Sequence, residues 1–135
     1  MGTPSLSLFD LAGRSMSAQL VRMNASASNL ANAGTVASSE EATYRPIRAV
    51  FAEQLDKASG LATVQVSAVV RENAAPQRQH MPDHPLADAN GDVWTSPVDE
   101  NAEMVEMLEA SRQYQNLVEA LSTAKQLMLE TIRIK

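Results

Sequence analysis

Asn24-Ala25-Ser26-Ala27-Ser28-Asn29-Leu30-Ala31-Asn32-Ala33-Gly34 closes the stretch whose reading decides the fold. Working back from it, Phe9, Gly13, Met16, Leu20, Met23, Ala27 and Leu30 follow one another at spacings of 4, 3, 4, 3, 4 and 3. That alternation is the heptad pattern of a helix with one apolar seam. Ser5 or Ser7 can cap its start. Ala33-Gly34 can stop it, with Gly34 free to take the left-handed conformation that ends helices. About 28 residues of helix would span roughly 40 Å. The small side chains of 24–33 let another backbone come close, and the amides can hydrogen-bond across that contact.

The far end of the chain mirrors this pattern. Asp99 is a cap after Pro97, and Glu100 and Glu103 suit the positive end of a helix dipole. A second seam runs through Met107, Ser111, Tyr114, Val118, Leu121, Lys125, Met128 and Ile132, again alternating 4 and 3. Leu117, Ala124 and Leu129 widen it, which suits more than one packing partner. Neither Gly nor Pro occurs from 99 to 135.

Between the two lies a different composition. Residues 34–98 hold five of the six prolines. Thr63 to Val70 alternates like a strand, and Tyr44 to Phe51 reads as a second strand begun near Pro46. Residues 52–59 fit no single pattern. Pro76, Pro82 and Pro85 make 74–86 an extended loop. Asn90-Gly91 signals a turn, with Val93-Trp94-Thr95 as a short strand after it. The expected fold is mainly α with a small β element. Long N- and C-terminal amphipathic helices would pack as a coiled-coil-like pair around a short strand and loop middle. The divisions are 1–35, an N-terminal assembly helix; 36–98, a β and loop region; and 99–135, a C-terminal assembly helix.

Composition narrows the function. The chain has 135 residues and a formal net charge of −5, with one Trp, two Tyr, two Phe and seven Met. A core of small and flexible side chains is thin, so stability is expected from helix–helix or subunit contacts. The acidic balance argues against nucleic acid, whose phosphates draw clustered Lys and Arg. Without Cys there is no disulfide, thiol nucleophile or Cys-ligated metal. No run of about 20 apolar residues is present to span a membrane. The first eleven residues lack Lys and Arg, unlike a cleavable secretory signal.

Each candidate for chemistry has a plainer reading. His80 and His84 are four apart near Asp83 and Asp88, but Pro82 and Pro85 oppose the helix a metal site would need there. Asp88-Ala89-Asn90-Gly91-Asp92 resembles a calcium loop only briefly, since its Gly falls fourth and its twelfth residue is Asp99. Glu100, Glu103, Glu106 and Glu109 repeat at three, which reads as a solvated or partner-facing edge. Arg14 and Arg22 on the first helix suggest a charge-complementary contact with that edge, within or between subunits. Trp94 reads as a packing anchor more readily than as a ligand-stacking group. No nucleophile elbow or Gly-rich phosphate loop occurs.

Ser28-Asn29-Leu30-Ala31-Asn32-Ala33-Gly34-Thr35, followed by Tyr44-Arg45, resembles the signature of bacterial flagellar rod and hook proteins. Glu103 to Leu108 and Ala110 to Asn116 look like the matching C-terminal signature, and Lys125 to Ile132 like its closing pattern. Pro85 to Val93 and Pro97-Val98-Asp99 resemble the segment before the second helix in the proximal-rod C type of basal-body rod protein. The chain departs from that pattern at Asp92, where an aromatic is common, and at Ser96-Pro97-Val98-Asp99, where Pro-Asn-Val-Asp is usual.

The resemblance implies a structural subunit with no catalysis and no cofactor. Such proteins leave through the flagellar type III export apparatus without a cleaved signal. They assemble with other rod proteins and copies of themselves into a rod that crosses the periplasm and transmits torque, with no direct insertion in a membrane. Independently, two apolar seams cannot be fully buried on so small a monomer. Heterologous, non-closing contacts would bury them and build a tube. The expected assembly residues are Phe9, Met16, Leu20, Met23, Ala27, Asn29, Leu30 and Asn32, with Met107, Tyr114, Val118, Leu121, Met128 and Ile132. The competing readings are a soluble helical adaptor or export chaperone that binds a partner helix, and a small hydrolase using the His80–Asp88 loop.

Overall fold

The structure, a computed structural model, describes residues 7–134. Ser5 lies outside them, and Ser7 is the cap. Its hydroxyl accepts from the Asp10 backbone N–H, and the Asp10 carboxylate accepts from the Ser7 backbone in return. This reciprocal box satisfies two amides that a helix start otherwise leaves bare. These hydrogen bonds, the backbone one foremost, also hold the Asp10 carboxyl below its ordinary range.

From that cap α1 runs Leu8–Ala31. It ends at Asn32, whose φ is −108°, and the Asn32 Nδ2 donates to the Ser28 carbonyl. Gly34 is not left-handed, contrary to expectation. The amide of Asn32 already satisfies carbonyls of the last turn, so no left-handed residue is needed.

The middle region forms two small antiparallel sheets. Strands β1 (Val36–Ala37), β4 (Gln77–His80) and β5 (Asp92–Thr95) order as β1-β5-β4. The extended loop expected over 74–86 is interrupted at Gln77–His80. That segment is strand because its partner edge, β5, lies ready beside it, and no proline falls inside those four residues. Gly91 takes a φ of +79° in the turn before β5, where a side chain would also press on His80 and Pro82 at 3.1 Å.

Strands β2 (Ile47–Asp56) and β3 (Leu61–Arg71) form a separate two-stranded ribbon. It continues five residues past the expected end at Phe51, so most of the ambiguous 52–59 is strand. A register shift falls between Val50 and Phe51, leaving Ser67 without a partner, and the Ser67 hydroxyl donates to the Val50 carbonyl at 3.1 Å. The fold therefore holds more strand than a mainly α chain with a short middle.

Finally α2 runs Glu100–Ile134, its first turn capped by the Asp99 carboxylate, which accepts from the amides of Asn101 and Ala102. It packs along α1, and α1 also packs against the ribbon.

What is inside is unusual for a protein interior. The buried apolar side chains are Ala12, Ala18, Ala25, Ala33, Val93 and Ala110, and the largest fully buried side chains are Glu103, Val93, Asn29 and Thr63. Large apolar residues stand outside instead: 21 of them are exposed among the described residues. Burying one such side chain is worth about 1.5–3 kcal/mol. For these side chains roughly half of that term is left unused in the single chain.

Candidate assembly surface

The face of α1 that meets α2 steps through Ser15, Gln19, Arg22, Ser26 and Asn29. Ser15 and Gln19 share a crevice with Gln113, Asn116 and Leu117. Arg22 donates to the Glu106 carboxylate at 2.9 Å, with Glu109 at 3.9 Å. Ser26 and Asn29 reach Glu103. Rising numbers on one helix meet falling numbers on the other, so the pair is antiparallel. Ala18 and Ala25 turn to the ribbon side.

This in-chain face lies one residue, about 100° of helix rotation, from the expected seam. Within the chain, small and polar residues join the two helices, and the apolar seams do not pair as a coiled coil. Phe9 and Leu20 are 40% and 42% exposed. Ala27 is exposed, while Met16, Met23, Leu30 and Asn32 are half-buried. On α2, Met107, Tyr114 and Leu121 are half-buried at the flank of the contact, and Val118, Met128 and Ile132 are exposed. Asn29 alone of the expected surface residues is fully buried. It is a joint of the fold and offers no open surface.

At that joint, the Asn29 Nδ2 donates to the Ile47 carbonyl at 3.0 Å, and its Oδ1 accepts from the Ile47 N–H at 2.8 Å. The side chain thus stands in for a neighbouring strand at the start of β2. The Tyr44 hydroxyl donates to the same Oδ1 at 2.8 Å and meets the Ser28 hydroxyl at 3.0 Å. Asn29, Ser28 and Tyr44 therefore belong to one hydrogen-bonded cluster.

Of the solvated or partner-facing edge expected at Glu100, Glu103, Glu106 and Glu109, Glu103 departs from the solvated form: it is fully buried and faces Arg48. Arg48 on β2 donates from Nη1 to Glu103 Oε2 at 2.9 Å, with its Nη2 against Oε1, and from Nε to Glu72 at 2.7 Å. Burial alone would push the Glu103 carboxyl up, but the donors Arg48, Asn29 and Ser26 together hold it below its ordinary value. The hydrogen bond to Glu103 chiefly raises the Arg48 guanidinium further above its usual value, and burial opposes this. Of the rest of the stripe, Glu106 and Glu109 face Arg22, and Glu100 is exposed. Within the chain Arg22 alone of the two arginines meets that stripe, and Arg14 borders the ribbon side of α1.

Sequence reasoning also missed Met104, Val105 and Leu108. They form an outward patch at the start of α2, and Leu108 is 68% exposed. The signal was present in their apolar chemistry, but a single-seam reading assigns the helix one face only.

The loop of His80 and His84 holds no chemical cluster. The His80 ring meets the Asp92 carboxylate at 2.9 Å, and among the described residues no group of three His, Asp or Glu is placed to hold a metal ion. Trp94 is half-buried on β5. Among the same residues no helix is long and apolar enough to cross a membrane.

A small polar interior with large apolar side chains exposed along two terminal helices is the build of a structural subunit and not of a catalytic site. Residues 89–134 match the family model described as flagellar basal body rod FlgEFG protein C-terminal. The flagellar basal-body rod protein FlgC of Salmonella typhimurium is 44% identical over 131 residues, covering 96% of each chain. FlgC of Escherichia coli O157:H7 is 43% identical over 131 residues, and that of Yersinia enterocolitica 40% over 129, each covering 96% of both chains. The chain belongs to the FlgC family of flagellar basal-body rod proteins.

Proposed function

We propose that this chain is a structural subunit of the flagellar basal-body rod, polymerising through its terminal helices with copies of itself and with other rod proteins. One observation carries the reading: the in-chain helix contact uses mostly small and polar side chains, leaving large apolar ones free on the other faces of the helices. The name shared by its relatives supports the same role.

In the assembled rod, segments 1–35 and 99–135 form an inner helical layer of coiled-coil-like pairs, and 36–98 packs outside against neighbouring subunits. The layer transmits torque, which favours close packing around Ala27 and Ala31. The chain reaches the periplasmic part of the basal body through the flagellar type III export apparatus, without a cleaved signal, and does no catalysis. The working surface is the expected set without Asn29, extended by Met104, Val105 and Leu108.

The test pairs Leu20→Glu with Val118→Glu. Both positions are exposed, so each variant keeps its helical signal and loses less than about 0.5 kcal/mol of stability. Each is expected to vanish from isolated basal bodies. Normal incorporation of both would refute the reading.

A further inference from the structure

A groove of about 910 Å³ runs between the first half of α1 and the ribbon. Phe9, Gly13, Arg14 and Val21 line one wall, and Gln54 and Val66 the other. We infer that this groove seats the C-terminal end of α2 from a second copy of the chain, an inference that rests on the rod reading above.

Gly13 is the first argument. Glycine in a helix interior costs about 0.5–1 kcal/mol relative to alanine. Gly13 has no positive φ, and a Cβ built on it meets nothing within 4 Å. Nothing among the described residues requires the missing side chain. It lines the groove, where an incoming helix would need the space.

The occupant is the second argument. Since Ser15 and Gln19 lie against Gln113–Leu117, α2 runs about ten residues, or ~15 Å, past Leu8. Every residue from 125 to 134 is exposed, and among the described residues no other element lies beside it. Met128, Leu129 and Ile132 fall on one face of this overhang, and Leu127 and Ile134 are bare as well. A groove with no filler and an apolar helix end with no seat occur in the same molecule. They cannot meet within one copy, because the overhang projects away from the groove beside α1.

Charge sets the direction. Asp10 and Arg14 stand four apart along the groove, and Glu130 and Arg133 three apart along the overhang. Laid antiparallel, Arg133 meets Asp10 and Glu130 meets Arg14. Laid parallel, both pairs repel. Among the described residues Arg14 and Arg133 have no ion pair within the chain. The contact joins two different surfaces, so it repeats from copy to copy, and it extends a polymer where the rotation between copies closes no ring.

The chain has no cysteine, so single thiols report contacts cleanly. Two differently tagged copies, one Gly13→Cys and one Leu129→Cys, are expressed together and oxidised in isolated basal bodies. A cross-linked product carrying both tags is expected. Arg14→Glu is expected to lower incorporation about tenfold, and adding Glu130→Arg to restore it to within about twofold. If both tags reach the basal bodies but no joint product forms, or if the Gly13→Cys thiol joins a protein of another mass instead, the groove assignment falls and the rod reading stands. If neither tag is found in the basal bodies, the rod reading falls and takes the groove with it.

Discussion

Glu103 shows how much this fold asks of single polar residues. A buried carboxylate is tolerated only when its donors outweigh the loss of water. Arg48, Asn29 and Ser26 are those donors, and they come from β2 and α1, so one side chain ties α2 to both. Removing one partner of a buried pair costs about 3–5 kcal/mol. Arg48 keeps a third of its side chain in water, which softens the loss. Glu103→Gln is therefore expected to destabilise the chain by ~2 kcal/mol at neutral pH, read from urea unfolding. The carboxyl is held below its ordinary value in the folded state, so its contribution is fully present above the ordinary glutamate range. That contribution fades as pH falls through the lowered folded value. The gap between Glu103→Gln and the unaltered chain should therefore be widest near neutrality and narrow under acid. A gap that stays constant down to pH 2 would show that the charge is not what stabilises the joint.

At the scale of elements, two alanines separate in-chain packing from surface. Ala110 on α2 is fully buried against α1, while Ala27 on α1 is exposed on the seam. Ala110→Leu overfills a closed contact and should cost about 1–3 kcal/mol. Ala27→Leu should change the stability of the single chain by less than about 0.5 kcal/mol and still impair incorporation into basal bodies. Equal thermal shifts in the two variants would overturn this division of faces. The same contrast explains what the sequence made legible. Both helices, the Ser7 and Asp99 caps and the Asn90-Gly91 turn are local features, set by residues within a few positions of one another. Which helix face meets which partner is not local. Apolar periodicity marks the face that most needs covering, and it does not show which residues join the two helices within the chain. Here the in-chain contact uses Ser15, Gln19, Arg22, Ser26 and Asn29, which periodicity of apolar residues passes over. Glu103 escaped for a similar reason. Only its distant partner Arg48, 55 positions away, distinguishes it from Glu100 and Glu106.

For the whole molecule, stability and assembly draw on the same apolar surface. The interior is built from alanine, one valine and hydrogen-bonded polar groups, so the single chain gains little from removing apolar area from water. Its elements should then open locally at low cost, least protected where least is packed. The overhang at 125–134 and the outer half of the ribbon around Leu55 and Leu61 are such places, since both stand exposed. The turn of α1 at Asn29 is the opposite case, held by four hydrogen bonds within the chain. In hydrogen exchange of the isolated chain, amides of 125–134 and 52–64 are expected to exchange fastest, and those of 26–30 and 47–50 slowest. Binding that requires the folded form adds to its stability by mass action. Raising the chain concentration should therefore lift the thermal midpoint and slow exchange first in 125–134, the segment with the most apolar surface still to bury. Exchange that is uniform along α2 and insensitive to concentration would mean that the chain finishes its own core, and the exposed helix faces would then need another explanation.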